Sequence, residues 1–140
     1  MALAAFHDRY HDDALVLDKW FTTQALSMRE DTPEAVEALA AHADFTLSNP
    51  NRMRALVGAF AANQYAFNHP SGRGYRFVAD MILAVDKLNP QSAARLVGPF
   101  GRWRRLEPGR SALMKAELER ITATLELSKD VFEQASKSLA

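Results

Sequence analysis

Apolar residues in this 140-residue chain recur at spacings of three and four, and no stretch alternates with a period of two. That spacing places side chains on one face of an α-helix and rules against half-buried strands. Met53, Leu56, Val57 and Phe60 make one such stripe. Phe77, Val78, Met81, Ile82 and Val85 make another. Leu113, Met114, Leu118 and Ile121 make a third, all expected to point inward. A chain of this length buries roughly 68–70% of its unfolded surface, enough for a core of its own. The expected organisation is a single helical domain over residues 1–140.

Helix starts are marked by local chemistry. Ser48 or Asn49 can cap a helix, and Pro50 fits its first turn, where a missing N–H costs nothing. Asn89-Pro90 repeats that signal 40 residues later. Thr32-Pro33-Glu34 and Ser128-Lys129-Asp130 are further starts. The expected helices are Leu3 to Tyr10, Ala14 to Ser27, Thr32 to His42, Pro50 to Asn63, Tyr75 to Leu88, Pro90 to Val97, Arg110 to Leu125, and Ser128 to the end. The second is apolar nearly all round, the mark of a central element. Gly98-Pro99 should end one helix and Arg102 to Leu106 form a short further one. Pro108-Gly109 reads as a break, and Gln64 to Gly74 reads as a surface loop. Short joins suggest antiparallel helix pairs. The 40-residue repeat of Asn-Pro fits armadillo- or HEAT-like units stacked into an α-α superhelix.

Net charge is zero but unevenly spread. Residues 1–50 hold 9 acids and 3 bases, residues 51–115 hold 3 and 11, and residues 116–140 hold 5 and 3. The middle should carry a positive face, suited to acidic partners or carboxylates, unless it meets the acidic N-terminal third within the fold. No apolar run of about 18 residues is present, so no membrane-spanning helix is expected. Met1 to Phe6 lacks a basic region and does not read as a signal peptide. The chain has no cysteine, which removes disulfides and thiolate metal sites and fits a reducing, cytoplasmic compartment.

His7 and His11 share one helix face at zinc-binding spacing, but Asp8 stands where a general-base glutamate belongs, and no third ligand is marked. No nucleophile motif or phosphate loop is present. The basic run Arg102-Trp103-Arg104-Arg105 could grip single-stranded nucleic acid by phosphate contact and stacking, or be a solvated turn with its tryptophan packed inward. Arg52 and Arg54 stand near the positive end of a helix dipole, an unfavourable place for a cation. That suggests a role other than helix stability. Arg54 and Arg95 follow the two Asn-Pro starts, and equivalent positions of stacked repeats line one surface. A guanidinium there can fork onto a carboxylate. The alternative is that both arginines pair with internal acids such as Asp80 or Asp86.

The run Asn49-Pro50-Asn51-Arg52-Met53-Arg54, with Asp12-Asp13-Ala14, Asp18-Lys19-Trp20-Phe21, Asn89-Pro90-Gln91 through Arg95-Leu96 and Lys137-Ser138-Leu139-Ala140, resembles the C-terminal domain of bacterial aminopeptidase N, a zinc-dependent alanyl aminopeptidase of the gluzincin group. The resemblance covers nearly the whole chain and begins partway along the longer enzymes, so Met1 is read as an added start. It implies an all-helical superhelix that caps the catalytic domain of the same enzyme and lines the substrate channel. It implies peptide contact beyond the scissile bond through Arg54, Gln91 and Arg95. Zinc would lie in the catalytic domain, absent from this chain, leaving no cofactor and no catalytic residue here. The expected partners are the other domains and the peptide, with no nucleic acid and no membrane. The rivals are a stand-alone helical-repeat scaffold for a protein partner and a nucleic-acid-binding helical domain.

Overall fold

The computed structural model describes residues 14–27, 32–41 and 49–140. The expected helix over Leu3 to Tyr10, with His7 and His11, lies outside them. Among the described residues every regular element is helical. They form two compact units, residues 1–66 and 67–140.

In the first unit, α1 (Ala14–Ala25) is followed by α2 (Thr32–Ala40). Next comes α3 (Pro50–Met53), a π-helical turn (Arg54–Gly58) and α4 (Ala59–Ala62). A short helix, α5 (Gln64–Phe67), follows, and its last residue belongs to the second unit. Trp20, Phe21 and Ala25 of α1 are buried, as are Val36 and Leu39 of α2. They meet Met53, Leu56, Val57 and Phe60, which are almost wholly inaccessible. Lys19 and Thr23 are exposed on α1, so its described side chains have a polar face as well as a buried one; Leu26, just past the end, is half exposed.

Asn63 ties this unit together. Its Nδ2 donates to the carbonyls of Ala25 (3.0 Å) and Ser27 (2.8 Å), two orphan acceptors at the end of α1. Its Oδ1 accepts from the Ala66 N–H at 3.2 Å and so starts α5. This corrects the loop expected from Gln64 to Gly74. Residues 64–67 are helical because Asn63 caps them and Ala66 and Phe67 are buried; only residues 68–72 remain as loop.

In the second unit, α6 (Arg73–Asp86), α7 (Pro90–Val97), a 3₁₀ segment (Gly98–Arg105), α8 (Pro108–Thr122) and α9 (Lys129–Leu139) follow in turn. α6 packs on α7 and α8, and α9 packs on both of those. Phe67, Tyr75 and Phe100 form an aromatic core, with edge-on contacts of 5.1 and 5.5 Å between ring centres. Such pairs add to the free energy of burying the rings. Tyr75 is fully buried and donates its hydroxyl to Asn68 Oδ1 at 2.7 Å. Burial pushes its pKa up to about 12. It anchors the loop before α6.

Gly72 ends that loop at φ 77°, a left-handed conformation. A Cβ there would also meet Leu113 Cδ1 at 3.0 Å, so glycine is required twice over. This contact corrects the inward assignment of Leu113. Met114, Leu118 and Ile121 are buried, but Leu113 sits one position round the helix and stays 38% exposed beside Gly72.

Two further boundaries differ from expectation. Gly98-Pro99 does not stop the chain's winding; it tightens α7 into the 3₁₀ segment, held by buried Phe100. Nor does Pro108-Gly109 break α8. The Glu107 carboxylate accepts from the Arg110 N–H at 2.9 Å, which makes Pro108 the first helical residue. A hydrogen bond from the Arg110 guanidinium, together with this one from the Arg110 backbone N–H, holds the Glu107 carboxyl below its usual pKa.

Candidate functional site

Both Asn-Pro starts act as the sequence suggests. Asn49 Oδ1 accepts from the N–H groups of Asn51 (3.1 Å) and Arg52 (3.2 Å). Asn89 Oδ1 accepts from Ser92 N–H at 3.1 Å. Each bond satisfies donors that a helix start would leave open, and each fixes where the following side chains point.

The two arginines after Asn49-Pro50 have opposite fates. Arg52 is buried, and its Nε donates to Asp18 Oδ1 at 2.5 Å. Its guanidinium also lies 5.5 Å from the centre of the Phe21 ring. Arg52 is therefore a structural ion pair between α3 and α1, which corrects the idea that both arginines serve something other than stability. Arg54 is exposed and donates through Nη2 to Asn51 Oδ1 at 2.5 Å. That acceptor is uncharged, so the positive charge of Arg54 stays available. Five guanidinium N–H groups exist and this bond uses one.

Gln91 and Arg95 are both exposed and stand four residues apart on α7, hence on one face. The opposite face, Ser92, Ala93, Leu96 and Val97, is buried. Among the described residues neither Gln91 nor Arg95 has a hydrogen-bond or ion-pair partner. The acids named as possible internal partners are otherwise engaged. Asp80 accepts from Arg120 at 2.8 Å, and Asp86 Oδ2 accepts from Ser128 N–H at 2.9 Å. Gln91 and Arg95 thus come together on one helix, while Arg54 belongs to the first unit. The sequence analysis gave Asn51 no role of its own, and its side chain holds Arg54.

The basic run behaves differently. Trp103 Nε1 donates to the Ser138 carbonyl at 2.8 Å. The Arg104 guanidinium lies 4.4 Å and the Lys115 ammonium 5.3 Å from the Trp103 ring centres. Arg104 also donates to the carbonyls of Leu139 and Ala140, each at 2.7 Å. Trp103 and Arg104 tether the end of α9, while Arg102 and Arg105 are exposed. An open hollow of about 310 Å³ lies elsewhere in the second unit, lined by Ser71, Gly72, Arg73, Arg76, Leu113 and Glu117. It contains none of the expected site residues. Among the described residues no group of three or more His, Cys, Asp or Glu could hold a metal ion. No helix of the described part is long and apolar enough to cross a membrane.

Capped helices packed in series, with polar side chains displayed at helix starts, are the architecture of an ARM-repeat chain. The comparisons agree: residues 1–140 match the family described as DUF3458_C, a domain of unknown function with ARM repeats, and the chain belongs to that family. It is 53% identical over 139 residues to aminopeptidase N of Caulobacter vibrioides, 44% identical over 138 residues to that of Haemophilus influenzae, and 42% identical over 136 to that of Escherichia coli. These matches cover 96–99% of this chain but 16% of each relative's length. A crystal structure of Legionella pneumophila aminopeptidase A, solved with aspartic acid, superposes with a TM-score of 0.93 at 38% identity, over 99% of this chain and 16% of that one. The resemblance read from the sequence motifs is thereby borne out, as is the all-α class.

Proposed function

We propose that residues 1–140 are the C-terminal helical domain of a larger, cytoplasmic, zinc-dependent aminopeptidase. In this reading the domain caps the catalytic part, lines the substrate channel, and contacts the peptide beyond the scissile bond through Arg54, Gln91 and Arg95. The observation that carries it is the 53% identity to an aminopeptidase N along 99% of this chain. The exposure of all three side chains supports it, as does the lack of any charged partner for them among the described residues.

Bond cleavage would belong to zinc and its activated water in the catalytic part, with no ligand supplied from here. What this chain offers is position and charge. A guanidinium meets a carboxylate with two parallel hydrogen bonds, and a neighbouring glutamine can satisfy an amide. The nucleic-acid reading loses its main feature, because Trp103 and Arg104 are engaged with the end of α9.

The test compares substrates of different length in the full-length enzyme. A charged hydrogen bond contributes about 1.5–3 kcal/mol, so Arg95→Ala should lower kcat/KM for a tripeptide roughly tenfold or more relative to a single-residue anilide. Equal losses on both substrates would count against contact beyond the scissile bond.

A further inference from the structure

The helix that carries Arg54 is not a regular α-helix. The Ala59 N–H donates to the carbonyl of Arg54, five residues back, as well as to Leu56. It passes over the carbonyl of Ala55, four residues back, which an α-helix would use. That carbonyl instead accepts the hydroxyl of Thr22, from α1, at 2.8 Å. Single π-helical turns of this kind are rare and gather at functional sites.

A π-turn holds one residue more than an α-turn, about 100° of azimuth. Met53 before the turn and Phe60 and Ala61 after it are packed in the core, as are Leu56 and Val57 within it. The change of direction therefore falls on the turn's outward residues, and Arg54 is the charged one among them. Gly58 lies beside Arg54 across the turn: a Cβ there would stand 3.7 Å from Arg54 Cβ, an ordinary van der Waals distance. Asn51 then holds the guanidinium from the preceding turn.

We infer that Thr22 is a positioning residue for Arg54: its hydroxyl stabilises the π-turn that aims Arg54, with Asn51 as the second brace. This rests on the reading of Arg54 as a peptide contact. It assigns to α1, whose Trp20, Phe21 and Ala25 are buried in the core, a part in setting how the peptide beyond the scissile bond is gripped.

The experiment uses the full-length enzyme, a tripeptide and a single-residue anilide. Thr22→Val removes the hydroxyl at nearly constant shape, and Thr22→Ser keeps it. The expected result is a rise in tripeptide KM of about threefold or more for Thr22→Val, a matching fall in the tripeptide-to-anilide ratio, and recovery with Thr22→Ser. Combined with Arg54→Ala, Thr22→Val should add nothing further, as for two residues acting as one unit. If Arg54→Ala raises tripeptide KM while Thr22→Val does not, or if the two effects add, the positioning role is overturned and the peptide contact stands. If Arg54→Ala itself leaves tripeptide KM unmoved, the contact reading falls and this inference falls with it. Should Thr22→Val fail to fold, Asn51→Ala, at an exposed position, takes its place: a raised tripeptide KM absent from the Arg54→Ala background supports the braced arginine, and an unmoved KM overturns it.

Discussion

The helices that begin at Asn49-Pro50 and Asn89-Pro90 start alike and continue differently. Both are capped by the asparagine side chain, and both place a proline where no N–H is needed. The first then widens into a π-turn at Arg54–Gly58, and the second tightens into a 3₁₀ segment at Gly98–Arg105. What differs is the neighbour. The first helix meets a hydroxyl from α1 that takes up a backbone carbonyl. The second leads into Phe100, which is buried against Phe67 and Tyr75, and into Trp103 and Arg104, which are bonded to the end of α9. Local sequence sets where a helix begins. Tertiary partners decide how tightly it winds afterwards, and in the first helix that winding decides where a free cation points.

The sharpest way to break this comparison lies within the first helix. Arg52 and Arg54 are two residues apart, yet one is a buried brace and the other a displayed charge. Removing one partner of a buried pair leaves the other uncompensated. Arg52→Ala should therefore cost about 3 kcal/mol, seen as roughly hundredfold faster amide exchange in α1 and α3. Arg54→Ala should change exchange there by less than about twofold, as surface substitutions away from structural features do. Equal effects would mean that the two arginines are not divided between structure and display.

A smaller effect tests the likeness of the two starts. Asn49→Ala and Asn89→Ala each remove an N-cap that contributes about 1 kcal/mol. Amide protection in the first turn of each helix should fall by about fivefold, and by similar factors in the two. If only the second start weakened, Asn49 would not be the cap that fixes Asn51 and Arg54.

Much of this was legible in the residues. The helical period held throughout the described part, and Asn49, Asn89 and Ser128 all cap as their types suggest. What escaped reading depended on residues far away in sequence. Thr22 and Ala55 are 33 positions apart, and nothing near Ala55 announces a π-turn. Asn63 looked like the tail of a helix, but its side chain reaches 38 positions back to Ala25. Glu107 is a less usual capping residue than serine or aspartate, so Pro108-Gly109 read as a break. Leu113 fits the apolar stripe of α8 and is set at its edge by Gly72, 41 positions earlier. The resemblance to aminopeptidase N was carried by spaced motifs along the chain, which is why it survived these local errors. Arg54, Gln91 and Arg95 were proposed through those motifs; Thr22, which bonds the turn that begins at Arg54, was not legible there.

In the proposed function, cationic side chains of this domain meet the peptide past the bond that is cut. The most direct measurement is the ratio of kcat/KM for a tripeptide with a free C-terminal carboxylate to that for its C-terminal amide, taken in the full-length enzyme and in Arg54→Ala with Arg95→Ala. The expected result is a preference for the carboxylate of about tenfold that the double variant abolishes, because a guanidinium gains most from an ionised acceptor. An identical ratio in both proteins would contradict the claim.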